Sequence, residues 1–252
     1  MNFEWLNIDP QELNYHMDQY EHPKQYTKEL LLLFEEWGLS VEPGGLAVKP
    51  KEIFDIGCGG GAVTNLFAEM FPMSNFTGID VNDQYISISQ HHKQPNSTFK
   101  TVDIYSDSDL KTLGKYDGVM SFQTLSWLPN YDQFLSLLPM VGANWALVTS
   151  LFYDGPVDAE IKIKDYTRTM GDKDYRECYY NIYSLDVLEV KLKQIGYKLT
   201  EVKAFDIGFD LPKPQDKSMS TYTEKTIDNR RIQISGPVLM SWHTLLISKI
   251  YI

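Results

Sequence analysis

The 252-residue sequence contains only two cysteines, Cys58 and Cys178, which share no motif. So few cysteines exclude a disulfide framework and a zinc site built from four thiolates. No stretch approaches the roughly 18 uninterrupted apolar residues that a membrane helix requires, and the N-terminal segment carries acids where a signal peptide needs a basic region. The sequence therefore predicts a soluble, cytoplasmic protein without a membrane partner.

Positive charge is also scarce. Lys and Arg number 23 against 34 Asp and Glu, so the formal net charge is −11 and nucleic acid is not an expected partner. Residues 1–150 contain no arginine, and the chain has only Arg168, Arg176, Arg230 and Arg231. Because guanidinium groups bind carboxylates and phosphates by paired hydrogen bonds, these arginines predict an anionic or polyhydroxylated small-molecule substrate. Ion pairs with neighbouring acids at the protein surface are the alternative.

Short apolar runs alternate with amphipathic helices along the first 151 residues. The runs predict strands over 51–56, 75–79, 98–102, 116–121 and 143–151. Strands separated by helices form parallel βαβ units with right-handed crossovers. Two later strands, over 197–205 and 242–250, lack a crossover helix between them and predict an antiparallel pair. The fold class is therefore α/β: a Rossmann-like, seven-stranded, mostly parallel sheet with an antiparallel C-terminal edge strand and helices on both faces.

We expect one domain over residues 1–252, composed of four parts. Residues 1–40 form an N-terminal cap with a helix over 24–38, and residues 51–151 form the cofactor-binding core. Residues 152–183 and 209–238 show no clean period and are expected to be insertions that cover the substrate. The first insertion contains six of the sixteen tyrosines.

Acids stand at the ends of the first three predicted strands. The first strand ends at Asp55, just before the glycine-rich segment 57–61, the second ends at Asp80, and the third ends at Asp103. Ligands of open α/β sheets bind at the carboxyl ends of the strands, where a glycine turn lets the backbone approach closely. Carboxylates there can accept hydrogen bonds from ribose hydroxyls and from an amino group. The sequence therefore predicts a nucleoside ligand at this edge.

The same glycines also fit the spacing GxGxxA of dinucleotide-binding proteins, with Asp80 near the expected ribose position. An NAD-dependent oxidoreductase is therefore an alternative. Asp55 disfavours it, because a carboxylate two residues before the first glycine would repel a pyrophosphate and attract an ammonium group. A non-catalytic protein of this fold is a third possibility, which the intact set of glycines and acids disfavours.

The segments FDIGCGGG, GID, VDIYS and YDGVMSFQTLSWLPN resemble the motifs of class I S-adenosylmethionine-dependent methyltransferases that act on small molecules. By motif the resemblance covers about residues 24–151. It implies that S-adenosyl-L-methionine is the cofactor, that S-adenosyl-L-homocysteine is its product, and that the methyl group moves by in-line displacement to a small-molecule acceptor.

The resemblance also implies which residues bind the cofactor. Asp55, Gly57 and Gly59 would hold the methionine end, Asp80 the ribose, and Asp103 the adenine amino group. The other expected cofactor contacts are Val81, Ile104, Ser121 and Phe122.

The sequence gives fewer indications of which residues bind the methyl acceptor and act on it. A hydroxyl acceptor needs a proton acceptor, whereas a carboxylate or a neutral amine does not. We expect transfer to a hydroxyl, with N- or C-methylation as alternatives. The candidate catalytic residues are His16, Gln123 and His243, although a histidine in the last strand also fits a purely structural role. The candidate substrate-binding residues are Tyr20, Trp127, Tyr153, Arg168, Arg230 and Arg231. No metal is expected, and the protein is expected to be a monomer or a homodimer.

Overall fold

The computed structural model describes residues 10–39, 51–167, 173–215 and 219–251. Its helices are α1 (Pro10–Glu21), α2 (Gln25–Glu36), α3 (Ala62–Met70), α4 (Asp83–His91), α5 (Asp107–Leu110), α6 (Asp132–Val141) and α7 (Leu185–Gln194). The strands in the first part of the chain are β1 (Lys51–Ile56), β2 (Ser74–Asp80), β3 (Ser97–Thr101), β4 (Gly118–Phe122) and β5 (Trp145–Ser150). Those that follow are β6 (Phe152–Tyr153), β7 (Lys162–Asp165), β8 (Arg176–Tyr179), β9 (Tyr183–Ser184), β10 (Tyr197–Phe205), β11 (Thr221–Lys225), β12 (Arg231–Ser235) and β13 (Trp242–Lys249).

Seven strands form the main sheet in the order β10-β13-β5-β4-β1-β2-β3. Strands β1 to β5 pair in parallel, and β13 is antiparallel to both β5 and β10. The predicted fold class and the antiparallel pair at one edge are thus confirmed. Within that pair the C-terminal strand β13 is the inner member, and β10 forms the edge itself.

Helices cover both faces of the sheet. Phe54, Val119 and Leu245 pack on the face covered by α6 and α7, whereas their chain neighbours Ile53 and Met120 pack on the face covered by α2 and α3. Successive residues of a strand point to opposite faces, so strands buried on both sides read as continuous apolar runs. That is why β1, β4 and β5 could be located from the sequence.

Aromatic packing anchors α2 on its face of the sheet. Phe34 of α2 is fully buried and meets Phe67 of α3 edge-on, with ring centroids 5.1 Å apart. Truncating a buried phenylalanine to alanine typically costs about 3–5 kcal/mol of stability. Phe34 therefore holds the N-terminal part of the chain, which leads into α2, against the core.

Helix α4 begins with a side-chain cap. Asp83 is a reasonable helix cap by sequence, but the cap is Asn82, whose Oδ1 accepts hydrogen bonds from the backbone N–H groups of Gln84 at 2.9 Å and Tyr85 at 3.4 Å. Asp83 instead lies in the first turn, where its charge complements the helix dipole. Both residue types are good caps, so the sequence alone does not separate them.

The two insertions contain short strands that periodicity did not reveal. The first insertion holds an antiparallel hairpin of β7 and β8, and the second holds one of β11 and β12. A third apolar cluster, which includes the buried residues Leu151, Tyr180 and Trp242, joins both insertions to the end of the sheet. Strands of two to five residues are too short to show an alternating pattern of burial.

The 12-residue helix α1 precedes α2 within the N-terminal part of the chain and was not predicted from the sequence. No helix in the described ranges is longer than 12 residues, and none has the length and apolar character needed to cross a bilayer.

Candidate functional site at the carboxyl edge of the sheet

The chain reverses its direction of strand addition at β1. From β1 it builds outward through β2 and β3, and then returns to add β4 and β5 on the other side of β1. Such a reversal opens the crevice in which doubly wound sheets bind ligands. The segment Gly57–Gly61, here called the glycine loop, and the segment after β4 flank this crevice.

The glycine loop and the segment after β4 touch through Thr124. Its hydroxyl lies within hydrogen-bond distance of three carbonyl oxygens, those of Phe122 (3.2 Å), Gly57 (3.3 Å) and Ile56 (3.4 Å), and can donate to one of them at a time. A Cβ atom on Gly57 would collide with the Thr124 side chain. Glycine at position 57 is therefore required for this approach, and sequence analysis did not identify Thr124.

The end of β2 fixes the shape of the glycine loop. The backbone N–H groups of Gly57 and Cys58 both donate to the carbonyl oxygen of Ile79 at 2.9 Å. Gly57, Gly59 and Gly61 adopt φ angles of 75°, 53° and 79°, the left-handed region that favours glycine. The loop thus follows a path that side-chain-bearing residues would adopt only with strain.

Asp80 joins this loop to the helix that follows β2. Its Oδ2 accepts from the backbone N–H of Gly59 at 3.0 Å, and its Oδ1 accepts from that of Asn82 at 3.0 Å. The backbone N–H of Val81 adds a third hydrogen bond to this carboxylate, which has about four acceptor positions, so about one remains for a ribose hydroxyl. Burial raises the pKa of Asp80, while the hydrogen bonds from Asn82 and Gly59 oppose that shift. Val81 lies half-buried in the same turn.

Asp55 is buried beneath the N-terminal part of α3. The hydroxyl of Thr64 donates to its Oδ2 at 2.5 Å. Burial raises the pKa of Asp55 to about 7, the Thr64 hydrogen bond opposes this, and the negative charge of Asp80 adds to it. A nearby ammonium group would favour the ionised carboxylate. Thr64 is a second residue that sequence analysis did not identify.

The remaining predicted cofactor residues differ in accessibility. Asp103 is half-buried, and its Oδ1 accepts from the backbone N–H of Tyr105 at 2.8 Å. Phe122 is half-buried and packs near Phe67.

Two of the expected cofactor residues, Ile104 and Ser121, have buried side chains. Ile104 packs in the main core, and the fully buried Ser121 donates to the carbonyl oxygen of Ile56 at 3.0 Å. Both side chains take part in the packing of the fold, and their contact with the cofactor stays a prediction.

Helix α1 lies directly on the glycine loop. The backbone N–H of Gly60 donates to Nδ1 of His16 at 3.3 Å, and a Cβ atom on Gly59 would lie 2.7 Å from Cε1 of His16. Tyr20 donates its hydroxyl to the carbonyl oxygen of Gly60 at 2.6 Å and accepts from Nδ2 of Asn65 at 3.0 Å. Burial lowers the pKa of His16 to about 4, so its imidazole is neutral near pH 7. His16, a candidate catalytic residue, therefore lies at the glycine loop, where its imidazole accepts a hydrogen bond from the loop backbone.

The three candidate catalytic residues are not brought together. Gln123 follows β4 with a φ of 56° and lines a water-sized cavity of about 10 Å³ together with Trp242 and Thr244. His243 lies between those two residues in β13, so its side chain points to the opposite face of the sheet. Burial lowers the pKa of His243, and among the described residues its buried Nδ1 has no hydrogen-bond partner. His243 therefore does not share a face of the sheet with Trp242 and Thr244, and its catalytic role stays a prediction.

The predicted substrate residues occupy different surroundings. Trp127 ends a 3₁₀ turn (Leu125–Trp127) after β4 and packs edge-on against Tyr180 at 5.3 Å, whereas Tyr153 in β6 is exposed. Arg168 lies outside the described residues. The other two arginines form ion pairs on the second insertion, Arg230 with Asp228 at 2.6 Å and Arg231 with Asp210 at 2.8 Å. The surface ion-pair alternative therefore fits them better than a ligand-binding role.

Arg176 of the first insertion reaches the N-terminal helix instead. Its Nη1 donates to Oε1 of Glu12 at 2.8 Å, and its guanidinium lies 5.7 Å from the ring centre of Trp127. Glu12 and Arg176 are 164 residues apart, so no local pattern marks the pair. In the part of the chain that the structure describes, no three His, Cys, Asp or Glu side chains are grouped closely enough to hold a metal ion.

Comparison with known proteins agrees with this geometry. Residues 54–138 match the family model of the methyltransferase domain. The chain is 36% identical over 168 residues to malonyl-[acyl-carrier protein] O-methyltransferase of Bacillus cereus, an alignment that covers 61% of each chain. Residues 54–138 thus match a methyltransferase domain, and the Bacillus cereus relative is itself named a methyltransferase. The resemblance predicted from its motifs is thereby confirmed.

Two further similarities extend the comparison. The domain is 32% identical over 85 residues to trans-aconitate 2-methyltransferase of Streptomyces avermitilis, covering 32% of this chain and 31% of that protein. The chain thus spans about three-fifths of the first curated relative and about a third of the second. Its fold is similar to that of the O-methyltransferase from a trans-AT polyketide synthase of Brevibacillus brevis, solved with S-adenosyl-L-homocysteine. That similarity has a TM-score of 0.56 at 12% identity and covers 98% of this chain and 78% of that one.

Proposed function

We propose that this chain transfers the methyl group of S-adenosyl-L-methionine to an oxygen of a small-molecule acceptor. The observation that carries the proposal is the set of groups around the glycine loop. Asp80 has about one unused acceptor position for a ribose hydroxyl, and the buried carboxyl of Asp55 would be ionised by an ammonium group. These residues fit the ribose and methionine ends of the cofactor.

The cofactor supplies a methyl group that its sulfonium already activates, so the chain needs to align the acceptor and exclude water. Gln123 and Thr124 border the crevice opposite the glycine loop. The aromatic face of Phe122, half-buried at the end of β4, can stabilise a cation held there. The carboxylate of Asp55 also disfavours a pyrophosphate, and with it the oxidoreductase alternative.

Neither candidate histidine is suited to act as the base that a hydroxyl acceptor needs. A carboxylate acceptor is therefore favoured over the hydroxyl expected from the sequence. His16 has a pKa of about 4 and already accepts a hydrogen bond from Gly60, and His243 faces away from Gln123. A hydroxyl needs a base with a pKa near the working pH, whereas a carboxylate is already ionised. The names of both curated relatives also contain a carboxylic acid, malonyl and trans-aconitate.

The position of Glu29 supports a hydroxyl acceptor as a second candidate. Glu29 of α2 lines the same small cavity as Gln123, and its partial burial raises the pKa of its carboxyl, opposed by the positive charge of Lys203. A carboxylate so placed could accept the proton of a hydroxyl. The Glu29→Gln variant separates the two candidates: a carboxylate acceptor predicts little change in kcat, and a hydroxyl acceptor predicts a large loss.

The purified chain with S-adenosyl-L-methionine and a panel of carboxylic acids and phenols tests the proposal. We expect S-adenosyl-L-homocysteine to form with a carboxylic acid, and the product to be an ester that mild alkali hydrolyses. An alkali-stable ether would indicate the hydroxyl candidate. Calorimetric binding of NAD in place of S-adenosyl-L-homocysteine would refute the assignment to methyl transfer.

A further inference from the structure

The guanidinium of Arg176 has a hydrogen-bond donor without a partner among the described residues, as an anion-binding residue would. Its side chain is only 13% exposed, and Nη1 donates to Oε1 of Glu12 at 2.8 Å. Nη2 lies 3.5 Å from Oδ2 of Asp165, and the buried Nε has no hydrogen-bond partner among the described residues. A guanidinium can bind a carboxylate through two parallel N–H groups. Here Glu12 engages one of them, and a buried donor remains available.

The guanidinium lies on the segment that borders the crevice. Trp127, whose ring centre is 5.7 Å from the Arg176 guanidinium, ends the turn that follows β4. Within the same segment, Thr124 contacts Gly57 of the glycine loop. Contact with the face of an indole ring restrains a guanidinium by a cation–π interaction. Arg176 is thus held next to the segment that follows β4 and contacts the glycine loop.

Helix α1 covers both the arginine and the glycine loop. Glu12 and His16 are four residues apart and therefore lie on the same face of the helix. Glu12 binds Arg176, while His16 accepts a hydrogen bond from Gly60. Helix α1 therefore connects the Arg176 side chain to the glycine loop.

We propose that Arg176 binds a carboxylate of the acceptor and that Glu12 occupies this place when no acceptor is bound. The inference rests on the proposed function and names its acceptor class, a small carboxylic acid that is ionised at neutral pH. One carboxylate replaces another, so the charge of the buried arginine stays compensated throughout. The exchange also frees α1 from the first insertion when the acceptor binds.

Carboxylate binding to variants of the full chain tests this exchange. Calorimetry with citrate, malonate and benzoate, with and without S-adenosyl-L-homocysteine, gives affinities for a tri-, a di- and a monocarboxylate. Glu12→Gln removes the competing carboxylate and should raise the affinity for the best-binding of the three acids by about threefold or more. Arg176→Gln should lower the same affinity by about tenfold or more. The double variant should bind like Arg176→Gln, and Arg176→Lys should recover part of the affinity. Arg231→Gln, which removes an arginine from the surface pair with Asp210, is the matched control and should bind like the unmodified chain.

The direction in which Glu12→Gln changes carboxylate affinity distinguishes two roles for Glu12. It either competes with the acceptor for Arg176 or only holds α1 over a bound acceptor. If Glu12 only closes α1 over a bound acceptor, Glu12→Gln will weaken carboxylate binding or leave it unchanged, and the inference is overturned. It is also overturned if a folded Arg176→Gln variant keeps full affinity, or if no carboxylate binds to Glu12→Gln. If Arg176→Gln does not fold, as judged by thermal unfolding, the affinity of Glu12→Gln alone decides. If carboxylate affinity changes as expected in the variants but no methyl group is transferred, only the proposed function is refuted. If an ester forms but the variants bind carboxylates with unchanged affinity, only this inference is refuted.

Discussion

The backbone N–H of Gly60 donates a hydrogen bond to Nδ1 of His16 at 3.3 Å. This bond attaches α1 to the loop proposed to bind the cofactor, and it requires a neutral imidazole because a protonated one has no acceptor. Burial enforces that state by lowering the pKa of His16 to about 4. The hydroxyl of Tyr20, 2.6 Å from the carbonyl oxygen of Gly60, adds a bond that does not titrate in this range. Docking of α1 is therefore linked to the protonation of one histidine.

Acidification is expected to release α1 from the glycine loop. The docked state holds the pKa of His16 at about 4, below the ordinary 6.5, so it binds fewer protons than the undocked state between these values. Docking is fully stabilised above about pH 6.5 and weakens as the pH falls toward 4. A fluorophore on Met17→Cys, an exposed position of α1, should lose anisotropy across this window.

The matched control for that titration is His16→Gln. Glutamine retains a hydrogen-bond acceptor that does not titrate, so the anisotropy of this variant should stay flat between pH 6.5 and 4. A transition of equal size in both proteins would assign the release to another group, such as the carboxylate of Glu12.

Affinity for S-adenosyl-L-homocysteine should rise with pH around neutrality. The free chain keeps Asp55 protonated up to its pKa of about 7, whereas a bound ammonium group favours the ionised form. Between pH 6 and 8 the ionised fraction of such a group rises about tenfold, and the affinity should follow it. Calorimetry at the two pH values measures the ratio, and an affinity independent of pH would remove Asp55 from the ammonium site.

The variant Asp55→Asn should flatten this pH profile and also stabilise the free chain at high pH. The raised pKa means that folded Asp55 keeps its proton from its ordinary 3.8 up to about 7 while the unfolded chain has already lost it. Folding stability from this group is therefore lost as the pH rises through that window and stays low above it. Thermal unfolding at pH 8 should give a higher Tm for Asp55→Asn than for the unmodified chain, and the difference should vanish near pH 4.

Substitution of Asp80 should weaken the binding of S-adenosyl-L-homocysteine by about 1–3 kcal/mol, the usual cost of removing one partner from buried hydrogen bonds. Asp80→Ala leaves the N–H groups of Gly59 and Asn82 without their acceptor, so the loop also loses its fixed shape. The neighbouring Asp83→Ala is the control, because Asp83 is exposed in the first turn of α4 and does not cap it. Equal affinity in Asp80→Ala and the unmodified chain would contradict the assignment of the site.

The cofactor side of the site was predictable because its parts are close in sequence. Gly59 and Asp80 are 21 residues apart and belong to one strand-helix-strand unit, so strand ends read from apolar runs place them together. By contrast, Arg176 reaches Glu12 through a hairpin and a helix that neither periodicity nor motif defines. Such a contact depends on how the insertion packs, and that information is spread over the whole chain.

The face of the sheet that His243 occupies could not be predicted, for a different reason. Residues on both faces of β13 are buried or half-buried, so its sequence shows no alternation of apolar and polar positions that would reveal which face a residue occupies. The structure puts Trp242 and Thr244 at the cavity and turns His243 to the other side. A one-residue uncertainty in register is enough to reverse such an assignment.

The paired variant Arg230→Ala and Arg231→Ala should leave the acceptor KM unchanged, contrary to the role expected from the sequence. Arg230 has a side chain 77% exposed and pairs with Asp228, while Arg231 pairs with the exposed Asp210. Ion pairs of this kind are screened by solvent and contribute little to stability, so the variant should fold and keep its KM within about twofold. Steady-state kinetics beside Arg176→Gln gives the comparison, since only the latter removes a buried guanidinium next to Trp127. A raised KM with unchanged affinity for S-adenosyl-L-homocysteine would instead place the second insertion over the acceptor, and would require the hairpin of β11 and β12 to move toward the crevice.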